Sequence, residues 1–170
     1  MTYYYDMFST PVGDFSVAVT DAGALVATAF GGRKNLLTRM TAGHSLVRDE
    51  SKIHRVRRQV SDYFAGKRKS FDLPLAPNGT VFQQSVWTAL QQIPFGETRS
   101  YGALAASVKR AGAARAVGRA NATNPICLIV PCHRVIGADG SLTGFAFGEA
   151  IKEKLLKHEG AIQTLAKTAA

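Results

Sequence analysis

The chain has 170 residues, of which 46% are apolar, and its 21 Lys and Arg residues against 12 Asp and Glu residues give a formal net charge of +9. This composition can bury enough apolar surface to form one or two small globular domains, which excludes disorder along the whole chain. No apolar run approaches the roughly 18 residues that span a bilayer, and the N-terminus lacks the features of a signal peptide. We therefore disfavour a membrane or secreted protein and expect a cytoplasmic location.

The first part of the chain predicts a β-meander followed by a helix. Three segments rich in β-branched and aromatic residues, separated by turn sequences, predict antiparallel strands at Tyr3–Phe8, Asp14–Thr20 and Ala24–Phe30. Apolar residues at helical spacing predict a helix over 53–64, with Ser51 as its N-cap and Gly66 as its end. Residues 32–50 show no clear pattern, and residues 71–75 favour another strand. A cluster of helix and strand breakers then predicts a boundary between domains 1–77 and 78–170.

The second domain is predicted to be mainly helical. Thr80 and Gln83 have the spacing of a capping box, which predicts a helix that ends before Pro94. Two short helices, at about 101–109 and 113–122, flank Gly112 and are typical of a helix-turn-helix. A pair of core helices with a glycine hinge would show the same pattern.

Positive charge is concentrated in this region. From Thr98 to Ala138 there are six basic residues and no acidic residue, which favours attraction of nucleic acid, although a solvated basic face is the alternative. The second short helix combines small residues with Arg115 and Arg119, so its backbone could approach a groove closely. Close helix packing in a core would also select small residues.

The last part of the chain predicts a buried strand over 126–130, a special turn over 131–136 and a hairpin at Asp139-Gly140. A final helix is predicted over 149–158 and ends at Gly160. In this helix the predicted inward residues are Ile151, Leu155 and Leu156, and the residues predicted on other faces are Lys152, Lys154 and Lys157.

Two cysteines, Cys127 and Cys132, are too few for a disulfide scaffold and lack partners for a structural zinc site, so no metal is predicted. Cys132 precedes His133, and an imidazole can convert a thiol with a pKa of about 8.5 into the reactive thiolate. Neighbours on a strand point to opposite faces, so such a pair requires a tight turn or a bridging water. The acids that could orient the imidazole are Asp139, Glu149, Glu153 and Glu159. The alternative is a buried cysteine beside a hydrogen-bonded histidine.

The segment 124–137, with the sequence NPICLIVPCHRVIG, closely resembles the active-site signature of the O6-alkylguanine-DNA alkyltransferases. The resemblance covers about residues 80–160 and includes the segments Phe82–Trp87, Ile93–Thr98, Ser100–Tyr101, Ala114–Gly118, Asp139–Gly144 and Leu155–Gly160. It implies an α/β (α+β) fold with an N-terminal ribonuclease-H-like domain. It also implies a helical C-terminal domain that carries a winged-helix-like helix-turn-helix and an active-site turn.

The resemblance implies a set of catalytic residues. Cys132 matches the alkyl acceptor, His133 the histidine that reaches the thiol through a water, and Glu159 the glutamate that holds this histidine. Asn124 matches an asparagine that braces the turn, and Tyr101 a tyrosine that donates a proton to the departing guanine. The residues that the resemblance assigns to DNA binding are Tyr101, Ala114, Arg115, Gly118 and Arg119, with Arg115 filling the gap left by a flipped base. Residues assigned to the substrate pocket are Val135, Phe145 and Lys152.

The implied function is DNA repair by one irreversible transfer of an alkyl group from O6-alkylguanine, or less well O4-alkylthymine, to Cys132. The expected partner is double-stranded DNA containing O6-alkylguanine. No cofactor, membrane or obligate protein partner is expected, and the protein is predicted to act as a monomer, at the nucleoid if prokaryotic.

A minor-groove DNA-binding or lesion-sensing protein is one alternative, but it would not need Cys132, His133 and Glu159 together. A cysteine hydrolase is another, but it has no use for Arg115. Phe147-Gly148-Glu149 replaces a Gly-Gly-Leu-like run of many members, which leaves the tolerated alkyl size open. Cys127 is interpreted as a small buried residue.

Overall fold

The computed structural model describes residues 1–162, which form two compact units. The first unit contains Met1–Gly79 together with Pro125–Ile129, and the second contains Thr80–Asn124 and residues 130–162. A five-residue segment that follows the helix-turn-helix in sequence therefore belongs to the first unit. The division into domains 1–77 and 78–170 stays a prediction.

The first unit is built on a four-stranded sheet of order β3-β2-β1-β4. Its strands are β1 (Thr2–Thr10), β2 (Gly13–Val19), β3 (Leu25–Phe30) and β4 (Ser45–Arg48). The first three strands pair antiparallel, as the meander prediction required, whereas β4 pairs parallel to β1. Every residue from Phe15 to Val19 is buried, so β2 is covered on both faces.

The stretch 32–50, which has no clear sequence pattern, contains a short helix, α1 (Arg33–Leu37), and the edge strand β4. Leu36 is the one buried residue of α1, and β4 has no fully buried residue. Elements with so few core contacts leave no hydrophobic period to detect.

Helix α2 (His54–Phe64) packs through Val56, Val60 and Tyr63. The predicted N-cap Ser51 is wrong, because Ser51 lies in a separate 3-10 turn, where its backbone N–H donates to the Asp49 side chain at 3.0 Å. The helix begins after Ile53 without a side-chain cap.

The prediction of a strand over 71–75 is wrong, because this segment makes only a single β-bridge, between Leu25 and Leu75. The backbone N–H of Asp72 donates to the Gln59 side chain at 2.9 Å, and Pro74 has no N–H, so a regular ladder cannot form.

The second unit contains the helices α3 (Val81–Leu90), α4 (Tyr101–Ser107), α5 (Ala114–Ala122) and α6 (Glu149–His158). The two-residue strands β5 (Arg99–Ser100) and β6 (Val135–Ile136) pair parallel. The predicted capping box of Thr80 and Gln83 is confirmed. The indole N–H of Trp87 donates to the Ala120 carbonyl at 2.8 Å, which joins α3 to α5 in the core.

Two further predictions near the active-site signature need correction. Residues 126–130 are buried, but they do not form a strand, because the chain turns at Leu128, which has a φ of 72°. At Asp139-Gly140 the chain makes a turn with a φ of 86° at Gly140, but no hairpin strands flank it among the described residues.

Within residues 1–162 no helix has the length and apolar character needed to cross a membrane.

Candidate active site and nucleic-acid interface

Cys132 begins a 3-10 turn, Cys132–Arg134, between Pro131 and β6. Its backbone N–H donates to the Val130 carbonyl at 2.8 Å, and the residue is only 5% exposed. The predicted tight turn is therefore confirmed, and the strand alternation that would separate neighbouring side chains does not apply here.

Two buried asparagines brace this turn. The Asn124 side-chain amide donates to the Val130 carbonyl at 3.0 Å, and the Asn121 amide donates to the Cys132 carbonyl at 3.4 Å. Asn124 is thus placed as the resemblance implied. Asn121 was not identified from the sequence, although a polar residue on the buried face of a predicted helix is the kind of signal that could have found it.

His133 and Glu159 form a fully buried pair. Atom Nε2 of His133 lies 2.8 Å from Oε2 of Glu159, and neither side chain is exposed to solvent. Reasoning from the residues alone left four acids open, and Glu159, the one that the resemblance implies, contacts this histidine.

The protonation of this pair follows from its surroundings. Burial lowers the pKa of His133 and so favours the neutral ring, whereas the hydrogen bond and the charge of Glu159 oppose this change. Burial alone would raise the pKa of Glu159, but hydrogen bonds and charges from His133 and Arg134 outweigh it and lower that pKa to about 2. A neutral ring beside an ionised carboxylate donates from Nε2, so Nδ1 keeps its lone pair. This Nδ1 is buried and has no hydrogen-bond partner among the described residues.

Arg134 is a site residue that sequence reasoning missed. Its Nε and Nη2 atoms donate to Oε1 and Oε2 of Glu159 at 2.8 and 3.0 Å, and its Nη1 donates to the Ile93 carbonyl at 2.7 Å. The sequence interpretation counted Arg134 with the residues that attract nucleic acid, which is wrong because this charge is buried and paired. Arg99 also pairs with Glu97, at 3.0 Å.

Lys152 was predicted on an outer face of α6, and this is wrong because the residue is fully buried. Its Nζ donates to the Val135 carbonyl at 2.5 Å and to the Thr143 carbonyl at 3.1 Å. Burial lowers the pKa of Lys152 to about 8, while the interactions with Cys132 and Glu149 oppose the change. The long aliphatic stem allows the ammonium to reach these carbonyls from α6.

Tyr101 is the first residue of α4, whose N-cap Ser100 accepts a hydrogen bond from the Ala103 N–H at 3.1 Å. The Tyr101 hydroxyl donates to the Thr143 carbonyl at 3.1 Å. Burial and the charge of Cys132 raise the pKa of Tyr101, so the phenol keeps its proton at neutral pH. Gly144 has a φ of 87°, and a Cβ there would lie 2.5 Å from this hydroxyl, so only glycine fits.

The predicted pocket residues are Val135, which precedes the 137–144 loop in sequence, and Phe145, which follows it. Val135 is buried in β6, and Phe145 is half-buried with its ring 5.6 Å from that of Phe147 in an edge contact.

Helices α4 and α5 pack together across a tight turn, in which Lys109 and Gly112 have φ values of 60° and 87°. Four basic residues of the acid-free stretch are exposed in this region: Lys109, Arg110, Arg115 and Arg119. The side chains of Arg115 and Arg119 form no ion pair with any residue that the structure describes. Ala114 and Gly118 are half-buried, and a Cβ on Gly118 would meet the Tyr101 ring at 3.7 Å.

Cys127 lies in the first unit and is buried. The Thr28 hydroxyl donates to the Cys127 carbonyl at 2.8 Å and lies 3.3 Å from its sulfur. Within residues 1–162 no cluster of three His, Cys, Asp or Glu residues could hold a metal ion.

Fold and site together define a two-unit α/β protein that combines a helix-turn-helix with a buried cysteine, histidine and glutamate. The family model described as 6-O-methylguanine DNA methyltransferase, ribonuclease-like domain, matches residues 3–77. The model described as 6-O-methylguanine DNA methyltransferase, DNA binding domain, matches residues 81–161. The chain belongs to the 6-O-methylguanine DNA methyltransferase family.

Individual relatives agree with this assignment. The chain is 49% identical over 157 residues to a methylated-DNA–protein-cysteine methyltransferase of Methanosarcina acetivorans, which covers 92% of this chain and 98% of the relative. It is 56% identical over 103 residues to the Salmonella typhimurium protein of the same name, covering 60% of each chain. The crystal structure of Mycobacterium tuberculosis OGT in complex with DNA matches with a TM-score of 0.83, 41% identity and 93% coverage of both chains.

The predictions of the alkyltransferase family, of its ribonuclease-like and DNA-binding parts, and of a DNA repair enzyme are confirmed by these matches. The enzyme class is methyl transfer from methylated DNA to a protein cysteine, which sets aside the alternatives of a non-enzymatic DNA-binding protein and a cysteine hydrolase.

Proposed function

We propose that Cys132 accepts one alkyl group from O6-alkylguanine in double-stranded DNA, and less efficiently from O4-alkylthymine. The observation that carries this assignment is the position of the buried Cys132 thiol directly before the His133–Glu159 pair. The sulfur attacks the alkyl carbon, the bond between this carbon and O6 breaks, and a thioether forms. The departing guanine takes up a proton. Because a thioether resists hydrolysis, each molecule acts once.

The thiolate forms by proton transfer to His133. The unpaired Nδ1 of His133 accepts the Cys132 proton through a bridging water, and the ionised Glu159 stabilises the resulting imidazolium. The attraction between Cys132 and the buried Lys152 ammonium, which opposes the lowering of the Lys152 pKa, also favours the thiolate. Asn121 and Asn124 hold the turn that presents the sulfur.

Tyr101 supplies the proton for the leaving group. Its raised pKa keeps the phenol protonated, so its O–H can neutralise the charge that develops on the departing guanine. We place the extruded base between Val135 and Phe145, in the neighbourhood of Lys152.

DNA is bound through α5 in the minor groove. The target atom is inaccessible inside a duplex, and extrusion of the nucleotide costs a few kcal/mol. The exposed Arg115 fills the gap that the extruded base leaves, and the small residues Ala114 and Gly118 allow a close approach to the groove. Arg119 contacts phosphate. The similarity to M. tuberculosis OGT, which was crystallised with DNA, supports the binding of DNA.

Intact-mass and peptide-mass measurements test the acceptor. After incubation with a duplex containing O6-methylguanine, the Cys132 peptide should gain about 14 Da, saturating at one methyl group per protein. Cys132→Ala should show no gain, whereas Cys127→Ser, the matched change at the other cysteine, should react like wild type. A methyl group on another residue, or on the Cys132→Ala protein, would overturn the assignment.

The same proposal includes a monomeric protein that works in the cytoplasm, at the nucleoid if prokaryotic, and needs no cofactor or metal. The mass gain should therefore be unchanged in EDTA and after removal of small molecules by gel filtration. Loss of the reaction under either condition would contradict this part of the proposal.

A further inference from the structure

The turn from Ile93 to Glu97 belongs to the motifs shared with the alkyltransferases, yet none of the roles described above uses it. In the structure it surrounds the guanidinium of Arg134. The Ile93 carbonyl accepts a hydrogen bond from Nη1 at 2.7 Å, and the Phe95 ring centre lies 5.9 Å from the guanidinium carbon. Gly96 has a φ of 87°, and a Cβ there would lie 3.3 Å from the Glu159 backbone oxygen. This turn therefore packs closely against both Arg134 and the end of α6.

The guanidinium of Arg134 and the imidazole of His133 both form hydrogen bonds with the Glu159 carboxylate. Arg134 donates two hydrogen bonds to this carboxylate, in the paired geometry that guanidinium and carboxylate favour, and His133 contributes another. A carboxylate with no solvent exposure is strongly destabilised unless it is paired. With Arg134 present, the charge of Glu159 is balanced and His133 has no need to be protonated.

Three charged groups influence the His133 ring: Glu159, Arg134 and Lys152. Lys152 belongs to α6, Glu159 is the C-terminal cap of that helix, and Arg134 belongs to the Cys132–Arg134 turn. Helix α3 also packs against the Cys132–Arg134 turn, but it has no titratable side chain. Cys132 is the immediate neighbour of His133 in the turn. Arg134 is therefore a cation in direct contact with Glu159, the carboxylate partner of the histidine.

We propose that Arg134 is a positioning residue for alkyl transfer: anchored by the Ile93–Glu97 turn, it orients Glu159 as a charged acceptor and keeps His133 neutral with its lone pair on Nδ1. This inference rests on the proposed role of His133 as the base for Cys132. Arg134 itself does not touch the reacting atoms. It acts through Glu159, which sets both the tautomer and the charge of the imidazole.

The sign of the expected effect follows from the charges. The positive charge of Arg134 opposes protonation of His133, so its removal raises the pKa of the histidine. Glu159 would then be balanced by an imidazolium, which cannot accept the thiol proton. The pH below which alkyl transfer slows should therefore move upward.

The test is the pH dependence of the second-order rate of Cys132 methylation by a duplex containing O6-methylguanine. In Arg134→Met the acid limb of this profile should shift upward by about one pH unit or more relative to wild type. Arg134→Lys keeps the positive charge but loses the paired hydrogen bonds of the guanidinium to Glu159. Its methylation rate should therefore fall, while the acid limb of its profile stays close to that of wild type. Arg58→Met, the same change on the exposed face of α2, is the matched control and should leave the profile unchanged.

An acid limb that does not move in Arg134→Met overturns the positioning role, since a loss of folded protein alone lowers the rate without shifting the limb. Failure of wild type to methylate Cys132 would instead contradict the proposed function. A second measurement needs no variant: the ¹⁵N chemical shifts of His133 at pH 7 should report a neutral ring protonated on Nε2. An imidazolium or an Nδ1-protonated ring would overturn the inference even if Arg134→Met does not fold.

Discussion

At the scale of single residues, burial decides what the charged side chains do. Arg134 and Lys152 both look like surface cations in the sequence, because basic residues are almost never fully buried unless they are paired. In the structure both lie inside, and each is satisfied by partners from other elements: Glu159 and the Ile93 carbonyl for Arg134, and the Val135 and Thr143 carbonyls for Lys152. Cys132 and His133, by contrast, were identified correctly as neighbours in a turn, since the turn is signalled locally by Pro131.

The buried ammonium of Lys152 predicts an unusual pH dependence of stability. Its pKa is lowered from 10.5 to about 8 in the folded protein, so between these values the unfolded chain binds more protons and stability rises with pH. The free energy of unfolding of wild type should gain about 3 kcal/mol over this range relative to Lys152→Met.

Urea titrations of both proteins between pH 7.5 and 10.5 measure this difference. Lys152→Met should be less stable at pH 7.5, because the Val135 and Thr143 carbonyls lose their donor. Parallel pH profiles for the two proteins would show that the ammonium is not buried in solution.

At the scale of elements, the helices were predicted well and the short strands poorly. Helices α3 to α6 each have caps, glycine stops or an apolar stripe that can be recognised within a few residues of sequence. The strand expected over 126–130 is an apolar run of the right length, yet it turns at Leu128. An apolar run reports burial but does not specify the backbone conformation.

The prediction for a single element concerns Arg115 of helix α5. Arg115→Ala should slow methylation by duplex DNA by tenfold or more, but it should hardly change the reaction with free O6-benzylguanine, because the free base needs no extrusion. Both rates are measured by mass spectrometry of the Cys132 peptide. Arg119→Ala is the comparison on the same helix: it should weaken duplex binding, but at saturating duplex its methylation rate should stay close to that of wild type, whereas Arg115→Ala should remain slow. Equal losses on both substrates in Arg115→Ala would contradict a role in base extrusion.

At the scale of the whole molecule, the net charge of +9 is only partly available to a partner. The acid-free stretch 98–138 has six basic residues, of which Arg134 is paired with Glu159 and Arg99 with Glu97. The other four are exposed basic residues around the helix-turn-helix. The segment Pro125–Ile129, inside this stretch, belongs to the first unit, where Thr28 contacts Cys127.

This charge inventory predicts the salt dependence of DNA binding. Phosphate contacts from Lys109, Arg110 and Arg119 should give a slope of about −3 in a plot of log affinity against log salt concentration, and Arg119→Ala should reduce its magnitude by about one. Fluorescence anisotropy with undamaged duplexes of two unrelated sequences measures both quantities. The two sequences should bind alike, because the minor groove carries little sequence information. Affinity that does not change with salt would contradict binding through these residues.

The sequence by itself determined the helices of the second unit, the meander of the first and the family, and it proposed Cys132, His133, Glu159, Asn124 and Tyr101 as catalytic residues. These features depend on local periodicity, capping and contiguous motifs, which neighbouring residues specify. The hydrogen bond between Glu159 and His133, the interior positions of Arg134 and Lys152, and the placement of 125–129 in the first unit were decided only by the tertiary structure. Each depends on contacts between residues distant along the chain, and on the pairing that allows a charge to be buried, which no local pattern records.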